Sequence, residues 1–244
     1  MEGGALRLGI MQPYFFPYLG YFSLIANTDS WVVFDVTQYT PKSWINRNRV
    51  LHPERGWMYV TVPLHGSTRN MAIHDARVLS VADSHRSVLG KLSHYRHRAP
   101  HFARVCDLVE QTFASTADDS LVHLNVRALE SVCSYLDIPF RYRLGSEMNL
   151  PAGRVTHAGG WAPLIAESLG ADEYLNPIGG MDLFDRDEFA GAGVALAFLE
   201  TPAFVYPTPG FEFEPGLSIL DVLLWNRPDA VLEAIGTAHI SQGG

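Results

Sequence analysis

Leu8–Ala26 reads LGIMQPYFFPYLGYFSLIA, and this stretch decides the fold. Leu8-Gly9-Ile10-Met11 is an apolar run of the length of a short buried strand. Tyr21–Ala26 is apolar again and suits a helix. Between them, Gln12, Pro13 and Pro17 would break either period from inside, because proline fixes φ and removes a backbone donor. The expectation is a strand, a rigid polar-aromatic loop and a helix. In an open α/β sheet, the loop leaving the C-terminal end of a strand is where ligands bind. A proline-stiffened core turn would show the same pattern, so periodicity does not separate the two.

The chain has 244 residues, room for one large domain or one domain with a sizeable insert. Hydrophobic residues make up 47% and charged residues 18%, a composition that packs a core. The 18 basic and 26 acidic residues leave a formal charge of -8. A nucleic-acid binder relying on bulk charge is excluded by that balance. Cys106 and Cys133 are too few for a disulfide framework. No apolar run reaches the roughly 18 residues of a membrane span, and no signal segment precedes the first strand. The expected location is the cytoplasm, with no membrane partner.

Trp31-Val32-Val33-Phe34 reads as a second buried strand ending at Asp35. The next segment, Gln38–Val50, interleaves Lys42, Arg47 and Arg49 with Gln38, Asn46 and Asn48, beside Tyr39 and Trp44. Strand alternation places Asn46 and Asn48 on one face and the two arginines on the other. Trp44–Leu51 and Gly56–Leu64 read as a hairpin, and Ile73–Ala82 as a short strand and turn. His85–His97, Phe102–Phe113 and Ser120–Leu136 are expected helices, with Ser120 as an N-cap. Ile138–Arg143 reads as a strand and Ala158–Leu169 as a helix closed by Gly170. Strands at Glu173–Leu175 and Val194–Leu199, helices at Phe184–Ala190 and Ser218–Trp225, and a frayed tail from Thr237 complete the reading. The fold class is α/β: a mainly parallel, Rossmann-like core sheet in one domain. Residues 40–82 form a β-hairpin insert and 85–136 a helical middle segment.

The leading candidate site joins Gln12, Tyr14 and Tyr18 to Asp35 and Gln38, because both loops leave C-terminal strand ends. Asp35 is suited to act as a base. Gln12, Gln38, Asn46 and Asn48 can grip an amide without adding charge, and Lys42 or Arg47 can hold a carboxylate or phosphate. Asn and Gln also fix loop backbones, which is the ordinary explanation of any one of them alone. His94, His97 and His101 have a spacing that could suggest a metal, but Pro100 interrupts the helix and Arg96 and Arg98 repel a cation. No metal is expected there. Cys133 with a histidine such as His123 could form a nucleophile pair, although a buried cysteine is usually a small hydrophobe. Asn176-Pro177-Ile178-Gly179-Gly180 could let backbone N–H groups approach a ligand. There is no G-x-S-x-G elbow, no phosphate-binding G-K-[ST] ending and no GxGxxG.

Ile10–Tyr21, Asp35-x-x-Gln38-Tyr39, Trp44–Arg49, Asn176–Gly180 and Leu217–Asp221 together resemble the WbqC-like family, in order along nearly the whole chain. The resemblance implies an acyl- or aminoacyl-transferase forming an amide in natural-product or O-antigen biosynthesis. A carrier-protein phosphopantetheine thioester would be the donor, a small-molecule amine the acceptor, and no resident cofactor is implied. Thr208 departs from the glutamine expected after Tyr206-Pro207, which bears on substrate choice. Pro17-Tyr18-Leu19-Gly20-Tyr21 also looks like the Pro-His-x-Gly-His turn of HUP-type nucleotidylyltransferases, with tyrosines in place of the phosphate-binding histidines. The alternatives are therefore a nucleotide-using HUP-type enzyme, an amide or thioester hydrolase, and a non-catalytic carrier-binding module.

Overall fold

A computed structural model describes residues 5–66 and 70–242. Its centre is a six-stranded sheet with strand order β5-β2-β1-β6-β7-β8. The strands are β1 (Arg7–Met11), β2 (Ser30–Val33), β5 (Tyr142–Leu144), β6 (Glu173–Pro177), β7 (Ala195–Glu200) and β8 (His239–Gln242). The first five are mutually parallel, and β8 runs antiparallel to β7. A separate antiparallel hairpin joins β3 (Arg47–Leu51) to β4 (Trp57–Thr61). The α/β class, the mainly parallel sheet and the hairpin insert are as the sequence implies.

Both faces of a parallel sheet need cover, and the strands supply an apolar set to each. Leu8, Ile10, Val32, Tyr174, Leu196 and Phe198 pack with α5 (Trp161–Leu169) and α6 (Arg186–Gly191). Trp31, Val33, Leu175, Ala197 and Leu199 join a larger core on the other face. That core includes α1 (Leu19–Ala26), α2 (Val81–Leu92), α3 (Phe102–Ala114), α4 (Leu121–Tyr135), α7 (Ile219–Trp225) and α8 (Pro228–Gly236). Gly9 is required in β1 because a Cβ there would lie 2.5 Å from the buried Trp31 ring.

Several boundaries differ from the sequence reading. Ile73–Asp75 is a 3-10 turn, not a strand, and α2 begins at Val81, where the Ser80 side chain accepts from Asp83 N at 3.2 Å. That helix ends at Leu92 and passes into a 3-10 turn at Ser93–Tyr95. The strand expected at Ile138–Arg143 is β5, shifted to Tyr142–Leu144. The tail expected to fray instead forms β8, preceded by α8, which starts on Pro228. Ser120, Ser218 and Gly170 do cap α4, α7 and α5. Residues 67–69 of the loop after β4 lie outside the described residues.

Candidate active site at the open edge of the sheet

The strand order reverses direction between β1 and β6: the chain moves outward through β2 and β5, then returns to β6 beside β1. This is the topological switch point, where α/β proteins bind ligands. The sheet opens here. Pairing of β1 with β6 stops at Gly9–Leu175, while β1 stays paired with β2 as far as Met11–Val33 and β6 with β7 as far as Pro177–Leu199. The loops after β1 and β6 flank the resulting gap.

The loop after β1 is held by its carbonyl groups. Tyr21 donates its hydroxyl to Gln12 O at 2.9 Å, and Asn125 Nδ2 donates to Pro13 O at 2.7 Å. Asn48 Nδ2 reaches Phe15 O at 3.1 Å and Phe16 O at 2.9 Å, while Ser218 Oγ donates to Phe16 O at 2.7 Å. Pro17 O accepts from Ile219 N at 2.8 Å. These donors come from α1, β3, α4 and the start of α7, so four elements fix one loop. They hold even Phe16, whose φ of 39° is in the left-handed region that non-glycine residues avoid. Fixing a loop in this way is preorganisation: its remaining side chains have little freedom left to lose.

Those remaining side chains are Gln12, Tyr14 and Tyr18. Gln12 Nε2 donates to Thr37 Oγ1 at 3.3 Å, which brings the loops after β1 and β2 together as expected. The Tyr14 ring lies 5.8 Å from that of Tyr21. Burial pushes the Tyr14 and Tyr18 phenols above their ordinary range, and the nearby Tyr14 adds to the shift at Tyr18. Both phenols therefore stay neutral donors at neutral pH. Tyr18 lines a cavity of about 180 Å3 with Gly20, Thr201 and side chains from the chain after β7, Phe204, Tyr206, Phe213 and Glu214 among them.

Other expected site residues are placed differently. Asp35 is fully buried, and its carboxylate accepts from Ser146 N at 2.7 Å and Ser146 Oγ at 2.6 Å. It ties the end of β2 to the turn after β5. Asn46 is bound to Tyr39 Oη at 2.8 Å and Val62 O at 2.9 Å, so it and Asn48 are both spent on backbone and side-chain structure. Asn176 accepts from Tyr174 Oη at 2.8 Å and donates to Pro177 O at 2.9 Å. A Cβ on Gly180 would sit 2.4 Å from Asn176 Nδ2, so that glycine lets the loop after β6 fold over the asparagine. Gln38 and Lys42 are exposed, and Lys42 has φ 63°.

On the outer face of the hairpin, Arg47 lies 4.0 Å over the Tyr59 ring and donates to Lys42 O. Arg49 lies 5.3 Å from the Trp44 ring and 5.0 Å from that of Trp57. The expected alternation is therefore present, with the asparagines inward and the arginines outward.

Sequence reasoning missed the clamps Asn125 and Ser218, the Asp35 latch Ser146, and His74. The His74 ring meets Asp35 O at 3.1 Å through Nδ1. It also missed a buried knot in which Asp221 accepts from Tyr95, from Tyr206 at 3.0 Å and from Leu51 N at 3.3 Å. A larger cavity of about 910 Å3 runs along β5, lined by Asp118, His123, Arg127 and Arg143 among others. Of the candidate residues named from the sequence, only His123 lines it. Among the described residues, no group of three or more His, Cys, Asp or Glu is placed to hold a metal, and no helix is long and apolar enough to cross a membrane.

Cys133 is buried, and its thiol is pushed up to about 12 by burial and the nearby Glu130. A thiol so far from ionising is no nucleophile at neutral pH. In the folded protein, iodoacetamide is expected to spare Cys133 at pH 8 while unfolding in guanidinium exposes it. Peptide mass spectrometry reads the difference, and equal labelling in both states would contradict the placement.

The clamped loop and its partners Asn48 and Ser218 fall in the segments that carry the likeness noted from the sequence. A WbqC-like protein family model matches residues 12–233. The chain belongs to the WbqC-like family. A Mycobacterium tuberculosis relative, the uncharacterized protein Rv1507c, is 27% identical over 218 residues, which span 89% of this chain and 92% of that protein. No solved structure matches the chain. The match begins at Gln12, the first residue of the clamped loop, and takes in Asn48, Asn125, Asn176 and Asp221.

Proposed function

We propose that this WbqC-like protein is an acyl- or aminoacyl-transferase that forms an amide bond from a thioester donor and a small amine. The observation that supports this reading is the clamped loop after β1. Most of its backbone carbonyls are tied off, and it carries Gln12 and two neutral phenols on the loop that leaves β1 beside the open switch point. Uncharged donors held in place suit a carbonyl that becomes an oxyanion, because they need no reorganisation when charge develops.

In the proposed reaction the amine nitrogen attacks the thioester carbonyl carbon, and the C–S bond breaks. The surplus amine proton goes to the departing thiolate, giving an amide and a thiol. A thiolate leaves readily, so no strong base is needed. One N–H of Gln12 Nε2 is spent on Thr37, and the other is assigned to the oxyanion. Asp35 becomes a positioning residue acting through Ser146, since its carboxylate is buried and occupied. The donor is taken to be a carrier-protein phosphopantetheine thioester. Lys42 and the ring-supported Arg47 are assigned to its phosphate, where a planar guanidinium held by Tyr59 keeps its orientation. With water in place of the amine, the same site would be a hydrolase.

A nucleotide-using reading has the strand order in its favour. Against it, Tyr21, at the second histidine position of the HUP turn, is buried and donates its hydroxyl to Gln12 O.

The test is turnover of glycyl and short acyl thioesters of pantetheine and of carrier protein with an amine panel, followed by mass spectrometry. Gln12→Ala is expected to lower kcat by about 100-fold, the cost of one oxyanion donor. Amide formation by the wild type no faster than by Gln12→Ala would count against the assignment. Turnover that persists without amine would favour the hydrolase.

A further inference from the structure

The cavity beside Tyr18 has walls unlike the rest of the edge. Tyr18, Phe204, Tyr206 and Phe213 line it together with Glu214. The Phe204 and Tyr206 rings lie 5.3 Å apart at 45°, and those of Tyr206 and Phe213 lie 5.2 Å apart at 89°. These rings are tilted to one another and do not stack flat, and all of them border the cavity. The Tyr206 hydroxyl is committed to Asp221 at 3.0 Å, so its polar end belongs to the core and its ring to the cavity. A Cβ on Gly20 would meet the Tyr18 ring at 2.7 Å and Thr201 Oγ1 at 3.5 Å, so glycine is what lets that ring lie at this wall.

Glu214 is half-buried and forms no ion pair among the described residues. Arg49 approaches the same wall, but it donates to Gly216 O at 3.2 Å and is stacked between Trp44 and Trp57. An aromatic enclosure with a carboxylate at its side has one well-defined preference. Ring faces and a carboxylate both attract positive charge, and ring surfaces shed water that would otherwise screen it. A volume of about 180 Å3 admits only a small head group, below the size of ordinary ligand pockets.

We propose that this cavity is a subsite for a small aliphatic ammonium ion, primary or methylated, held by the four rings and Glu214. The proposal rests on the transferase reading and narrows its substrate class. The substrate carries an ammonium group that does not react, because a protonated nitrogen is no nucleophile. It is either the ammonium of an aminoacyl donor or a second amine of the acceptor.

The experiment is calorimetry with ligand-observed NMR on the intact chain, using n-butylammonium and tetramethylammonium chlorides against n-butanol and tert-butanol as neutral counterparts. At least one cation is expected to bind, with its neutral counterpart about tenfold weaker or undetected. Glu214→Gln and Phe213→Leu are each expected to weaken cation binding by about fivefold or more. Circular dichroism and thermal melting report whether each variant is folded; should Phe213→Leu fail to fold, Glu214→Gln carries the test.

Equal binding of the neutral probes, no binding of either cation, or an unchanged affinity in folded Glu214→Gln would overturn the proposal. Probe binding requires no donor and no turnover. Cation binding without amide formation therefore counts against the transferase reading alone, and amide formation without cation binding counts against the subsite alone.

Discussion

Asp221→Ala is expected to destabilise the fold by about 4 kcal/mol, read as a shift of the urea denaturation midpoint at constant slope. Asp221 is fully buried on α7 and accepts from the hydroxyls of Tyr95 and Tyr206 and from Leu51 N. Tyr95 Oη also accepts from Leu51 N at 2.7 Å. Removing the carboxylate leaves two buried phenols without their acceptor and opens a void, and each orphaned group costs about 1–3 kcal/mol. Asp221→Asn keeps one carbonyl acceptor and the shape, so about half that loss is expected. Equal losses for the two variants would mean that the hydrogen bonds are not what the site contributes.

The same residue gives a pH signature. Burial raises the Asp221 carboxyl above its ordinary range, partly offset by the bonds from Tyr95, Leu51 N and Tyr206. The folded state therefore holds this proton more tightly than the unfolded chain does. The resulting stabilisation is complete below the unfolded carboxyl value, near 4, and is lost as pH rises through the higher folded value. The stability advantage of wild type over Asp221→Asn should shrink across that window. A widening gap with rising pH would contradict the sign.

Asn48→Ala is expected to cost about 3 kcal/mol. Asn48 is 4% exposed and serves three backbone groups: it donates to Phe15 O and Phe16 O and accepts from Arg49 N at 2.8 Å. Phe16 O keeps Ser218, but Phe15 O and Arg49 N lose the side-chain partner that serves them. The clamp also restrains the left-handed backbone at Phe16, so relaxation of that residue would move Gln12 and Tyr18 at the gap. Loss of turnover beyond the loss of folded protein, measured well below the melting temperature, is the accompanying functional outcome. A stability change under about 1 kcal/mol would show that Ser218, Asn125 and Ile219 hold the loop without Asn48.

The elements around the site were readable where one local pattern carried them. Leu8–Met11 and Trp31–Val33 are apolar runs with proline or charge at their ends, and Ser120 and Gly170 announce helix ends by their own chemistry. β8 escaped notice because His239–Gln242 is mostly exposed and lacks apolar alternation; its pairing with Phe198 and Leu199 is decided across more than 40 residues. β5 is three residues long, too short for a period to fix its ends, so the strand expected at Ile138–Arg143 lies a few residues later.

The site residues divide in the same way. Gln12 and Tyr18 lie at the edge because their strand does. Whether Asn48 or Asp35 faces a ligand or a carbonyl depends on partners far along the chain, as with Asp35 and Ser146, 111 positions apart. Asn125 reads as one polar residue among apolar neighbours in α4, although it bonds Pro13 and Ile45.

The terminal strand also bears on solubility. β7 carries Leu196, Ala197, Phe198 and Leu199, all buried, and β8 occupies the side of it opposite β6. A chain cut before His239 would present that flat apolar edge with its backbone groups unpaired, a template for another copy to add a strand. The polar, exposed residues of β8 thus act as a built-in guard against self-association. Trimming this end to improve handling would invite aggregation.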